Sequence, residues 1–94
     1  MDCLDQVKFL DALDQPIQGL DHQFWIGNLL ISDYITPASG ESVWIKRPIG
    51  AIIDVRVKSS TLGSYQSKVK IQLVGEKTIF IIYNDDSYFL RRCR

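Results

Sequence analysis

The stretch DALDQPIQGLDHQFW, residues 11–25, reads in two directions. Looking back from it, Leu4, Val7, Leu10 and Leu13 recur at every third position, as on one face of a helix. Looking forward, Pro16 and Gly19 stand where a hairpin would turn, one with its φ already set and the other free to take unusual backbone angles. A helix end and a first β-hairpin lead to different fold classes, and the downstream sequence decides between them.

From residue 51 the chain runs AIIDVRVKSS, where Ile53, Val55 and Val57 alternate with Asp54, Arg56 and Lys58. From residue 64 it runs SYQSKVKIQL, where Tyr65, Val69, Ile71 and Leu73 alternate with Gln66, Lys68, Lys70 and Gln72. Both have the period of two that marks a half-buried strand, and Ser60, Thr61, Leu62 and Gly63 between them suit a turn. The predicted hairpin sets Val55 opposite Val69 and Ile53 opposite Ile71 on one face. Asp54 then meets Lys70, and Arg56 meets Lys68, on the other. Downstream, TIFIIY is an unbroken run of β-formers, the mark of a strand covered on both faces or carrying an apolar outer patch. SVWIK, NLLISDY and the corner RPIG complete a series of strand-sized segments with turn chemistry every 8–12 residues or so, the signal of a sandwich or barrel. In that setting residues 3–13 read as strand, then turn, then strand, with a short helical turn at residues 2–6 still compatible. The expectation is an all-β domain: a small antiparallel sandwich of about seven strands over residues 6–84, with 85–94 as a C-terminal tail.

Ninety-four residues suffice for one domain and one core. The chain is 46% hydrophobic and carries eleven basic and eleven acidic residues, so disorder is not expected and no electrostatic footprint for nucleic acid stands out. The charge is unevenly placed: Asp2, Asp5, Asp11, Asp14 and Asp21 crowd the first quarter, and Arg91, Arg92 and Arg94 close the chain. Cys3 and Cys93 make no disulfide framework, and free thiols are expected. The start MDCLDQVKF lacks the basic and apolar regions of a signal peptide, and no apolar run reaches the roughly 18 residues of a membrane span. The chain is expected to be made in the cytoplasm, without a membrane partner.

No catalytic, metal or cofactor constellation stands out. His22 is the single histidine, so no histidine pair or triad can form on this chain; beside Asp21 or Asp33 it would be a lone general base. Asp85 and Asp86 adjoin each other and read as a turn rather than a calcium site. Ser39–Gly40 lacks the Gly-x-Ser-x-Gly frame of a nucleophile elbow. Cys93 beside three arginines would have a lowered pKa where exposed. The surface says more. Arg56 facing Lys68, with Lys58 and Lys70 near, is repulsive unless an anionic partner or screening offsets it. Trp44, Phe80 and Ile82 alternate out of phase with Val43, Ile45, Ile79 and Ile81. One set fills the core, and the other forms an outer patch with hot-spot composition. Trp44, Phe80 and Ile82 are the expected docking face for a protein partner, with Arg56 and Lys68 setting orientation and strand addition at a sheet edge as a second mode.

Three pieces in order, VKFLDALDQPIQGL, ITPASGESVWIKRPIGAIIDVRVKSS and GSYQSKVKIQLVGEKTIFII, resemble the transthyretin-like β-sandwich modules of type VI secretion spike and effector proteins and related phage-tail proteins. The first is similar to that family's opening strand, with its Asp, Pro and Gly before the second strand. The second is similar to its Thr-x-x-x-Gly turn followed by a short strand, a Pro-x-Gly corner and a Val-rich strand. Asp14-Gln15 stands where the family has a glycine before its proline. The resemblance, from Val7 to about Tyr83, implies a non-enzymatic docking module that joins an effector to a spike and is exported with it. Two other readings compete: a small immunity-type inhibitor binding a toxin through Asp11, Asp14 and Asp21, and a small barrel binding nucleic acid through Arg56, Lys58, Lys68 and Lys70.

Overall fold

The computed structural model describes residues 2–75 and 77–84. Seven strands form two sheets, with no helix among the described residues: β1 (Asp2–Leu10), β2 (Asp21–Ile26), β3 (Leu29–Ile35), β4 (Ile45–Pro48), β5 (Ile52–Lys58), β6 (Tyr65–Gln72) and β7 (Lys77–Tyr83). The first sheet has the order β4-β1-β7 and the second β3-β2-β5-β6. Phe9, Val7, Phe24, Ile53, Val55 and Leu73 are fully buried between them. The expected seven-stranded sandwich is present. One pairing departs from the antiparallel expectation, because β1 and β7 run parallel. No helical turn occupies residues 2–6, which belong to β1.

The opening stretch resolves into a strand and a crossing. After β1 the chain turns through residues 11–15, where Asp11 accepts hydrogen bonds at one carboxylate oxygen from the Leu13 and Gln15 amides and Asp14 takes a positive φ of 61°. It then pairs back on β1 for only two residues: Pro16 bridges Leu10, and the Ile17 amide donates to the Phe9 carbonyl. At Gly19 and Leu20 it leaves for the second sheet. So β1 and β2 are not a hairpin; they lie in different sheets.

Thr36 holds that crossing. Its hydroxyl donates to the Ile17 carbonyl at 2.6 Å and accepts from the Leu20 amide at 2.9 Å, and the residue is buried. Thr36→Val keeps the shape and strands both backbone groups, a loss of about 2 kcal/mol. Thr36→Ser should keep most of that stability, and urea unfolding midpoints of the two variants check the difference.

The β5–β6 hairpin follows the expected register as far as Val55: Ile53 pairs with Ile71, Asp54 with Lys70 and Val55 with Val69. Beyond it, Arg56 pairs with Ser67 and not with Lys68. The turn is closed by the Ser59 amide donating to the Ser64 carbonyl, which sets a register one residue off from the one the apolar pattern demands. A bulge that leaves Lys68 unpaired reconciles the two.

Candidate docking surface

The two sheets treat their outer faces differently. In the first sheet, Cys3, Asp5, Val7 and Phe9 of β1 are buried, and their register partners Thr78, Phe80 and Ile82 turn inward with them. The alternate positions lie on the outer side, where Gln6 is buried and donates to the Ser42 carbonyl. Leu4 pairs with Lys77, Gln6 with Ile79, Lys8 with Ile81 and Leu10 with Tyr83. Ile45 is buried beside Asp5, so Trp44, one residue earlier, turns outward; the Lys77 ammonium lies 5.6 Å from its ring centre. Trp44 is 42% exposed, Ile79 and Ile81 48% each and Tyr83 55%. Lys46 and Lys77 stand at one end of this apolar face. At the other, the Asp14 carboxylate beside the Tyr83 hydroxyl raises its pKa. On its far side Trp44 borders a groove of about 240 Å³ between the β3 and β4 edges, with Ile31, Tyr34 and Val43.

The outer face of the second sheet carries a polar network around Trp25 and also exposes Leu30, Ile35 and Ile52. The Arg56 guanidinium pairs with Asp54 at 2.9 Å and lies 4.4 Å from the Trp25 ring centre. The Trp25 indole donates to Gln23, whose amide donates to Asp33, and the Ser67 hydroxyl donates to the free oxygen of Asp54. Burial pushes the Asp54 carboxyl upward, but hydrogen bonds from Ser67 and Arg56 and the charges of Arg56 and Lys70 outweigh it and hold the pKa below 3.8. The pair is partly buried but lies on the outer face with the guanidinium a third exposed, so solvent screening keeps its contribution to stability small.

The five expected docking residues therefore do not form one surface. Trp44 is on the outer face of the first sheet. Phe80 and Ile82 turn inward, Ile82 buried and Phe80 packed against the core, because parallel pairing with Val7 and Phe9 assigns them to the interior. Arg56 lies on the opposite side of the sandwich, committed to Asp54 and Trp25, and Lys68 is exposed at the bulge. The outward set of β7 is Ile79, Ile81 and Tyr83, with Leu4 beside it. The signal for them was the apolar character of both alternating sets in TIFIIY.

His22 is 1% exposed, packed between the rings of Phe9 and Phe24 at 5.1 and 5.4 Å. Its Nδ1 donates to the Leu20 carbonyl, so Nε2 carries the bare lone pair and has no partner among the described residues. Asp21 and Asp33 lie at positions of β2 and β3 that face away from it. Cys3 is a buried free thiol. Asp85, Asp86 and Cys93 lie outside the described residues. No cluster of three or more His, Cys, Asp or Glu side chains that could hold a metal ion occurs among the described residues.

No family model matches the chain, and no curated protein matches its sequence. Among solved structures, the Bacillus anthracis TIE protein superposes on 89% of this chain with a TM-score of 0.66 and 17% sequence identity. The chain spans 16% of that protein's length. At this identity the likeness concerns fold, and the fold is a small transthyretin-like β-sandwich.

Proposed function

We propose that this domain is a non-enzymatic docking module that binds a partner protein through the outer face of its first sheet. One observation carries the reading: Trp44, Ile79, Ile81 and Tyr83 are exposed together on that face, whereas on the other outer face the one tryptophan, Trp25, is engaged by Arg56 and Gln23. A half-exposed tryptophan flanked by aliphatic side chains and rimmed by lysines has the composition of an interface hot spot. The setting, a type VI secretion spike or phage-tail-like assembly to which the module ties an effector, rests on the sequence resemblance alone, as does export with that assembly. The inhibitor reading is less supported, because Asp11 is engaged in the turn that follows β1.

The test is affinity capture from the native lysate, followed by calorimetry with the captured protein. A Trp44→Ala, Ile81→Ser double variant that keeps its β-sheet circular dichroism should bind at least about 10-fold more weakly than wild type. Equal binding would remove the face from consideration. Spike or effector components among the captured proteins would support the assembly, and a lone toxin-like enzyme would favour inhibition.

A further inference from the structure

The two sheets end in four edge strands, and three carry features that discourage a foreign strand. β4 is four residues long and contains Lys46, Arg47 and Pro48. β6 has its bulge at Lys68, with Lys70 beyond it. β3 is bulged opposite Phe24 and Trp25 and carries Asp33. β7 differs. After Lys77 it reads Thr-Ile-Phe-Ile-Ile-Tyr, with no charge, proline or bulge, and pairs in unbroken register with β1 on one side only among the described residues.

The interior beside that edge is incomplete as well. The first sheet has three strands against four in the second. Asn84, directly after β7, lines a cavity of about 180 Å³ with Val57 of β5 and Gln66 and Lys68 of β6, so β7 lies over the β5–β6 side. Val69 faces inward, opposite the fully buried Val55, yet is 38% exposed, whereas Ile71 and Leu73 further along are buried. The uncovered inner surface of β6 is where an eighth strand beside β7 would lie.

We propose that this slot accepts one extended segment of a partner protein, added to the β7 edge, apolar at alternate positions facing Val69 and Phe80 and acidic at its flank. Width selects a lone strand. Neighbouring strands sit about 4.8 Å apart and the first sheet is one strand short of the second, so one added strand evens the two layers. Charge selects the flank, since the charged residues lining the cavity among the described residues, Lys58 and Lys68, are both positive. Main-chain pairing supplies the binding and the alternate pockets the selectivity. The slot shares β7 with the docking face but uses its edge and inner side, and neither Val69 nor Lys68 belongs to that face.

The probe is a fluorescein-labelled peptide, Glu-Val-Thr-Val-Thr-Val-Glu, titrated by anisotropy against the full chain, with amide hydrogen exchange read residue by residue. In the free chain the β7 amides pointing away from β1 should exchange fast, and saturating peptide should slow them at least 10-fold. Val69→Lys should weaken binding at least 10-fold and Trp44→Ala should leave it unchanged, which separates the slot from the docking face. A peptide with lysines for its glutamates should bind more weakly. Three results would overturn the proposal: outer β7 amides protected in the free monomer, which assigns the slot to residues 85–94; protection rising with protein concentration, which assigns it to a second copy; or equal binding by wild type and Val69→Lys. The exchange measurement uses wild type and decides the matter even if Val69→Lys does not fold.

Discussion

Gly40→Ala is expected to cost the domain about 3 kcal/mol or more, a large part of the roughly 5–14 kcal/mol available to a chain of this length. Gly40 closes the turn that follows Thr36, its amide donating to the Pro37 carbonyl and its carbonyl accepting from the Phe9 amide. Its φ is +73°, a region where a side chain costs about 1–2 kcal/mol. Space adds more. A Cβ there would lie 2.7 Å from the Phe9 carbonyl oxygen, 3.1 Å from the Ile17 nitrogen and 3.2 Å from the Pro16 Cα. All three are backbone atoms, and two of them form the hydrogen bond that returns the chain to β1. Relief requires moving β1, the crossing or the turn, each held by the others. Gly27 is the control: it has a φ of +55° at the β2–β3 turn and, among the described residues, nothing within 4 Å of where a Cβ would lie, so Gly27→Ala should cost only the backbone strain, about 1–2 kcal/mol. Urea unfolding of both variants separates strain from contact. Equal losses would show that the close approach at Gly40 carries no weight.

The same knot shows what could be read ahead of the structure. The Thr36-to-Gly40 spacing stood out in the sequence, and the physical cause is now visible: one side chain caps the crossing, and one missing side chain lets β1 pass. Alternation placed β5 and the far half of β6 correctly because their outer faces are polar. It failed wherever both faces are apolar. In β1 the inward set is Cys3, Asp5, Val7 and Phe9, but outward Leu4 and Leu10 mixed with Val7 to imitate a helical period. In β7 the inward set could be chosen only by its parallel partner, a contact more than seventy residues distant in sequence. The ambiguity and the candidate docking face thus share a cause, an apolar outer surface on the first sheet. The bulge at Lys68 escaped for a different reason: the turn's own Ser59–Ser64 bond overrides the pattern locally, and a period of two carries no information about that bond.

Two buried groups should tilt stability in opposite directions between pH 8 and pH 4. Asp5 is fully buried between Ile45 of β4 and Thr78 of β7, and neither carboxylate oxygen closes a well-formed hydrogen bond among the described residues. Burial raises its pKa above 3.8, with Thr78 pulling the other way less strongly. The folded chain therefore holds this proton more tightly than the unfolded one. The contribution is fully present below 3.8 and is lost as pH rises through the folded value. His22 runs the other way, since burial lowers its pKa below 6.5 against smaller upward pulls from the Leu20 carbonyl and from Asp21 and Asp33. Its contribution is full above 6.5 and is lost as pH falls through the folded value. Single variants separate the slopes. Asp5→Asn removes the charge at nearly constant shape, so it should be more stable than wild type at pH 8 by about 2 kcal/mol, with the gain shrinking as pH approaches 3.8. In that variant the His22 slope remains, and stability should fall steadily below pH 6.5. His22→Phe should instead leave the Asp5 slope, with stability rising as the pH is lowered. Urea midpoints at unit pH intervals test both. An Asp5→Asn profile parallel to wild type would mean that the carboxyl does not change its protonation on folding, and that β1 carries a charge at its centre with a stabilising partner of its own.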